Sequence, residues 1–182
     1  YSLPADEAGY NMGRVTLNKR VCVNDEDGND LIARHRYPDI MFSFAPVGIN
    51  YDGEGHLDLS SLEEAIRHTK GLEGTEYEAA RNHIYHELNS VREKVLDDNM
   101  RNRELAATGR IVLSATKEDL RGRKSLDNFT RQILRCAHNT FGANVQKYLR
   151  ILDDTDATRD RNELLESFLP GGRPFGASHG KI

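Results

Sequence analysis

The sequence lacks the features that mark a membrane protein or a disulfide-bonded secreted protein. It contains no run of about 18 apolar residues, so we expect no transmembrane helix and no membrane partner. Its two cysteines, Cys22 and Cys136, are too few and too far apart for a disulfide framework. We expect both thiols to be reduced and buried, and no signal peptide is visible that would export the chain.

Apolar residues are also scarce. There is no tryptophan, 37% of the residues are hydrophobic and 30% are charged. A chain of 182 residues with this composition folds as one domain that leaves sizeable parts extended or exposed. We predict a single domain over residues 14–170, with extended arms at 1–13 and 171–182.

Motifs for catalysis and for cofactor binding are missing. The chain has no phosphate-binding loop, no dinucleotide fingerprint and no nucleophile elbow. His83 and His86 are three residues apart, whereas a zinc pair on one helix favours four. The acidic run 24–30 does not fit an EF-hand loop, because its first and last ligand positions fall on Val23 and Arg34. We therefore expect no enzyme activity, no metal and no cofactor.

The clearest signal in the sequence is a helical hairpin over residues 58–98. Ser60 and Thr75 are each followed at the third position by a glutamate, which is the pattern of a capping box at a helix start. The glycine-containing segment 71–74 between them predicts a reversal of the chain. The second helix carries an apolar stripe, which we expect to be buried, formed by Tyr77, Ala80, Ile84, Leu88, Val91 and Val95.

The segment before this hairpin has the pattern of short strands. Alternating apolar residues and the turn dipeptide at residues 27–28 predict an antiparallel β element over 14–47. After the hairpin, residues 99–170 are basic and mostly helical in pattern, with one or two longer helices. The predicted fold class is α+β, mostly helical, with a small antiparallel β-hairpin element.

Charge is divided unevenly along the chain. Residues 1–98 carry 10 basic and 19 acidic side chains, whereas residues 99–150 carry 11 basic and 4 acidic ones. The basic tract 101–135 is suited to double-stranded DNA, through non-specific phosphate contacts, or to an acidic partner protein. The alternative is that the two segments neutralise each other within one fold. The candidate binding residues are Arg121, Arg123, Lys124, Arg131 and Arg135.

The two predicted arms each contain isolated large apolar residues in glycine-containing sequence. Leu3 and Tyr10 lie in the first arm, and Phe175 and Ile182 lie in the second. Single anchors along an extended segment are suited to grooves on another subunit. We expect these four residues to anchor the arms on neighbouring chains.

Residues 44–88 resemble a small module of two helices. The resemblance rests on Phe44-Ala45-Pro46-Val47, on His56-Leu57-Asp58, on Leu62 with Ala65-Ile66, and on Ala79-Ala80-Arg81 with His86. Such a module is appended to head-maturation proteases and other head proteins of tailed bacteriophages. The resemblance covers about a quarter of the chain, contains no catalytic motif, and implies a virion or head-assembly setting.

Together these patterns favour a structural protein of a large assembly. We expect an oligomeric virion subunit of a tailed-phage head or connector, which clasps other protein subunits with its arms. Outside a phage we expect a cytoplasmic protein. The alternatives are an internal virion protein that faces DNA through the basic tract and a fragment of a head-maturation protease.

Overall fold

The computed structural model describes residues 1–23, 34–52 and 59–167, with the side chains of residues 59–61 left undescribed. Within these residues the fold is α+β and mostly helical, which confirms the predicted class. The strands are β1 (Val15–Leu17), β2 (Val21–Val23), β3 (Arg34–Arg36), β4 (Ile40–Phe42), β5 (Val47–Asp52) and β6 (Ile111–Thr116). The helices are α1 (Leu59–His68), α2 (Gly74–Ala107), α3 (Lys117–Leu120), α4 (Arg123–Phe141), α5 (Gln146–Asp153) and α6 (Thr155–Ser167).

The strands form two sheets. Strands β2 and β3 pair antiparallel, as predicted for a small hairpin element. A second sheet has the order β1-β4-β5-β6, in which β1, β4 and β5 are antiparallel neighbours. Strands β5 and β6 pair in parallel, a pairing that was not predicted from the sequence. Parallel neighbours need a long crossover, and helices α1 and α2 lie within that connection.

Strand β5 was missed at the sequence level because it follows Pro46 and contains Gly48. The glycine is required by packing inside the sheet. A Cβ atom at position 48 would lie 2.4 Å from the Met41 sulfur and 2.6 Å from the Ile40 carbonyl oxygen. A glycine in a strand interior commonly marks such a close approach, and here it does not mark a turn.

The main core lies between one face of the four-stranded sheet and helices α4 and α5. Val47 of β5, Ile133 of α4 and Tyr148 of α5 belong to this cluster, together with Met12 from the first segment of the chain. A smaller second cluster is formed by Val21, Val23, Met41, Leu105 and Val112. The C-terminal end of α2 therefore contributes Leu105 to the body of the protein.

The helical hairpin is present, but its second helix is longer than predicted. Helix α2 has 34 residues and continues to Ala107, beyond the expected end at residue 98. At about 1.5 Å per residue, it is roughly 50 Å long. Gly71 in the turn before α2 and Gly74 at the first position of α2 have φ of 88° and 60°, as expected for a reversal at glycines.

The first segment of the chain is not a free arm. Its backbone turns in a short 3₁₀ helix at Ala5–Glu7, and Tyr10 and Met12 are buried in the chain's own core. The expectation that Tyr10 anchors a neighbouring subunit is therefore wrong, whereas Leu3 is exposed. Periodicity could not show this packing, because Tyr10 is held by partners about 120 and 150 positions further along the chain, Asp127 and Arg161.

Several predictions lie outside the described residues. These are the acidic turn over 24–30, the arm over 171–182, and its proposed anchors Phe175 and Ile182. Both cysteines are free thiols; Cys22 is exposed and Cys136 is partly buried, so the expectation of burial is wrong for Cys22. Cys22 lies on β2, and its side chain alternates with the buried Val21 and Val23.

Candidate functional site

Helix α2 is fastened to the body near its C-terminal end by ion pairs as well as by Leu105. The Arg36 guanidinium binds the carboxylates of Asp97, at 3.2 Å, and Glu104. Burial acts to lower the pKa of Arg36, but the hydrogen bond to Glu104 and the charge of Asp97 outweigh it and raise the pKa. Arg101 binds Asp98 at 2.8 Å within the helix. The contacts of Arg36 thus join β3 to the C-terminal part of α2.

From Asp97 back to its start, α2 has α1 as its main described neighbour. The two helices contact each other, and Ala65 of α1 is buried between them. On α2, the half-buried residues of this region fall within about 120° of the helix circumference: Ala80, Ile84, Glu87, Ser90 and Val91. This side is the part of the predicted stripe that α1 covers.

The adjoining side of α2 is exposed although it is rich in large apolar residues. Its exposed fractions are 44% for Tyr77, 56% for Tyr85, 43% for Leu88, 39% for Val95 and 55% for Leu96. At 3.6 residues per turn, these five positions fall within about 100° of the helix circumference. We call this surface the α2 face. No described residue buries it.

The expectation that the whole stripe is buried is therefore wrong for Tyr77, Leu88 and Val95. The physical reason is that, among the described helices, α1 is the one packed on this part of α2, and a single helix covers one side of another. Helix α1 has 10 residues, which is about 15 Å, and it packs along one side of a helix more than three times as long. Such a partner covers a narrow band of α2 and leaves the next band in solvent.

Three charged residues are interspersed with the apolar residues of the α2 face. Glu78, Arg81 and Arg92 are all exposed, and the Arg81 guanidinium lies 5.8 Å above the ring centre of Tyr85. Neither Glu78 nor Arg92 takes part in an ion pair among the described residues. They are 14 positions apart, which is about 21 Å along the helix, so they cannot pair within one chain.

The five basic candidates all belong to α4 or to the turn before it. Arg121, Arg123 and Lys124 line an open cleft of about 360 Å³ at the start of α4, with Asn162 from α6. Arg123 forms an ion pair with Asp127, and Arg131 forms one with Asp153, each with the two atoms 2.7 Å apart. Within the described residues, Arg121, Lys124 and Arg135 have no ion-pair partner.

Helical spacing places three of these side chains on one side of α4. Lys124, Arg131 and Arg135 are separated by seven and four residues, which puts them in one row about 16 Å long. The Arg131–Asp153 pair sets α4 and α5 side by side, and α5 adds the exposed Lys147 and Arg150. Sequence reasoning stopped at residue 135 and missed these two, although the apolar spacing of Val145, Tyr148 and Leu152 indicates the helix on which they lie.

Arg123 also belongs to a buried polar cluster that ties the first segment to α4 and α6. Asp127 accepts a hydrogen bond from the Tyr10 hydroxyl at 2.8 Å and pairs with Arg161 at 3.4 Å. Arg161 is 2% exposed and lies 5.0 Å above the Tyr10 ring. Burial and the hydrogen bond to Asp127 raise the pKa of Tyr10 well above its usual range. This cluster holds the body together, and it is closed to a ligand.

Two properties bear on the remaining expectations. Among the described residues, no group of three or more His, Cys, Asp and Glu side chains is arranged to hold a metal ion. In the same part of the chain, no helix combines the length and the apolar composition that crossing a bilayer requires.

Comparisons with protein-family models, with curated proteins and with solved structures found no match to this chain.

Proposed function

We propose that this protein is a structural subunit that assembles with further copies of itself through its projecting helical hairpin. One observation carries the proposal: five large apolar side chains lie exposed on the α2 face. Isolated exposed apolar residues are ordinary, whereas several large ones gathered on one side of a helix favour an interaction site.

In this proposal the hairpin takes over the role that was expected of Tyr10 in the first arm. Tyr10 of the first arm is buried in its own chain, so it is not available to another subunit. The α2 face instead extends along a rigid helix, which costs less conformational entropy on binding than a free segment does. Of the two predicted anchors that the structure describes, Leu3 is the one that remains available to a neighbouring subunit, with 44% of its surface exposed.

The setting that we propose is the virion of a tailed phage, in its head or connector. This part of the proposal is supported by the resemblance of residues 44–88 to the two-helix module. The described part of this segment contains strand β5, helix α1 and about the first half of α2. The resembling segment is thus the one that presents part of the α2 face.

The experiment is a measurement of molar mass by light scattering on the full chain over a range of concentrations. We expect a mass above that of one chain, which rises with concentration. Leu88→Asp and Val95→Asp should each return the protein to a single chain, because an unpaired carboxylate in an apolar contact is costly to desolvate.

His86→Asp is the matched control. It introduces the same residue at an exposed position of the same helix, on the side away from the α2 face. The control should assemble as the wild type does. A wild-type protein that remains a single chain at every concentration would contradict the proposal.

A second candidate function is binding of double-stranded nucleic acid by the basic row on α4 and α5. The observation that favours it is the alignment of Lys124, Arg131 and Arg135 on one side of α4, together with the exposed Lys147 and Arg150 on α5, the helix that contacts α4. Contacts of this kind bind phosphates without reading sequence, and each neutralised phosphate makes the affinity more dependent on salt.

The test for this second function is a titration of duplex DNA at several salt concentrations. We expect Arg135→Glu to weaken binding and to flatten the salt dependence, whereas Arg103→Glu, an exposed arginine on α2, should leave both unchanged. Equal effects of the two variants would mean that net charge, and no defined row, attracts the DNA.

A further inference from the structure

The charges within the α2 face indicate how two copies would meet. Glu78 and Arg92 both lie on this face, and both are exposed. Tyr85 is midway between them, seven residues from each. A helix with opposite charges placed symmetrically about a central residue complements an identical helix that runs in the opposite direction.

We propose that two copies of this chain pair through antiparallel α2 helices, with a two-fold axis beside Tyr85. The proposal rests on the self-assembly proposed above and specifies its geometry. Glu78 of one copy then faces Arg92 of the second copy, and the symmetry creates this contact twice. In this register the apolar residues come within about one turn of one another: Tyr77 lies two to three residues from the level of Val95 and Leu96 of the second copy, and Leu88 three residues from the level of Tyr85.

A parallel arrangement in register has the opposite electrostatic result. It would place Glu78 against Glu78, Arg81 against Arg81 and Arg92 against Arg92, and like charges that face each other oppose association. The antiparallel arrangement places Arg81 opposite Asn89 and about one turn from Arg92 of the second copy, so it avoids the three direct like-charge contacts and keeps one more distant one. It also aligns the two helix dipoles favourably, with each N-terminal half beside a C-terminal half.

The antiparallel pair is compatible with α1 and with the body. Helix α1 occupies the side of α2 that carries Ala80, Ile84 and Val91, so among the described residues the α2 face is open to a second helix. The contact from Tyr77 to Leu96 covers about 29 Å of helix. The two bodies, fastened near Glu104 of each copy, then lie at opposite ends of the pair.

The closing experiment exchanges the two charges. Glu78→Arg alone and Arg92→Glu alone each turn both symmetric contacts into like-charge contacts, so each variant should raise the dissociation constant of the dimer about tenfold or more. The double variant should return it to within about twofold of the wild type, because each contact again joins opposite charges. Glu93→Arg, an exposed charge change beside the α2 face, is the control and should leave the dissociation constant unchanged.

Mixing the two single variants gives the most specific result. A dimer of one Glu78→Arg chain and one Arg92→Glu chain has an opposite-charge pair at both contacts, so the mixture should associate as tightly as the wild type. Neither variant should do so alone. Analytical ultracentrifugation of the two variants, separately and mixed, measures this, and circular dichroism verifies that their helical content is retained.

The outcomes separate this geometry from the proposed function. If the wild type associates and Leu88→Asp disrupts it, but the mixture of charge variants does not recover, the antiparallel geometry is wrong and self-assembly stands. If the wild type never associates, both proposals fail. Recovery of the mixture, with loss in each single variant, supports the antiparallel pair.

Discussion

Helix α2 joins two regions that are held together differently. At its C-terminal end, Leu105 is fully buried among apolar side chains from both sheets. Seventeen residues earlier, Leu88 leaves 43% of its surface in solvent. The same helix is thus part of a packed body at one end and of a thin projecting hairpin at the other. The comparison shows that apolar spacing along a helix does not by itself create a core.

The body and the hairpin also differ in how they treat charge. In the body, Asp127 and Arg161 are buried and satisfy each other together with Tyr10. In the hairpin, ion pairs such as Arg67–Glu63, with atoms 3.9 Å apart, lie in solvent. Buried charges that lose their partner are costly, whereas exposed pairs contribute little. Stability should therefore depend on the body, and association should depend on the hairpin.

The largest expected effect comes from removing the central carboxylate of the body. Asp127→Ala leaves the Arg161 guanidinium buried without its counter-ion, which should lower the free energy of unfolding by about 3–5 kcal/mol. Asp153→Ala is the control, because its carboxylate is 65% exposed in its pair with Arg131. Urea unfolding monitored by circular dichroism measures both. A loss of similar size in both variants would mean that the buried cluster has no special role.

Next in size is the loss of the leucine that joins α2 to the body. Leu105→Ala should cost about 2–5 kcal/mol, because the side chain is fully buried and its removal leaves a cavity between β2, β4 and β6. Leu96→Ala on the same helix is the matched control, since its side chain is 55% exposed. Chemical unfolding of the two variants should separate them clearly. Equal stabilities would show that the end of α2 is not anchored in the second cluster.

Alkaline pH should weaken the body before it affects the hairpin. Burial raises the pKa of Tyr1 to about 12, so the folded chain keeps a proton that the unfolded chain loses near pH 10. The resulting stabilisation is fully present below pH 10 and is lost as the pH rises through 12. Because the pKa is about 12 in the folded chain and about 10 in the unfolded chain, the free energy of unfolding should fall by about 2–3 kcal/mol.

Unfolding in urea at a series of pH values measures this loss. The series should run from about pH 9 to about pH 12, because it must include the pKa of an unfolded tyrosine, about 10, and that of the buried one. The variant Tyr1→Phe should remove part of the pH dependence, because phenylalanine has no proton to release. Tyr85→Phe, at an exposed position of the α2 face, should leave the dependence as it is. An unchanged pH profile in Tyr1→Phe would exclude the buried phenol as its source.

Local patterns in the sequence predicted where helices lie better than they predicted what those helices pack against. The spacing of Phe129, Ile133 and Ala137 predicts the buried side of α4, and the structure confirms it. The spacing of Tyr77, Leu88 and Val95 is just as regular, but nothing described covers those residues. Periodicity shows which side of a helix is apolar, and the contact that buries it depends on residues far along the chain.

The same limit explains the other differences between expectation and structure. Strand β5 pairs in parallel with β6 across the whole hairpin, and no local pattern encodes a contact over such a separation. The candidate basic residues were found because charge is visible in composition. The sequence could not predict which of them form ion pairs, because that depends on where Asp127 and Asp153 lie in the fold.

The smallest expected effect is that of Leu88→Ala. Because Leu88 is already 43% exposed and leaves no closed cavity, its truncation should cost less than about 1 kcal/mol when the protein is dilute enough to be a single chain. The effect should grow with protein concentration, since association through the α2 face stabilises the folded wild type by mass action and the variant loses part of that gain. Thermal unfolding of both proteins at low and high micromolar concentration measures the difference. A loss above about 2 kcal/mol in the dilute protein would mean that another part of the same chain buries Leu88. The hairpin would then be a second core, and the contrast between the two ends of α2 would disappear.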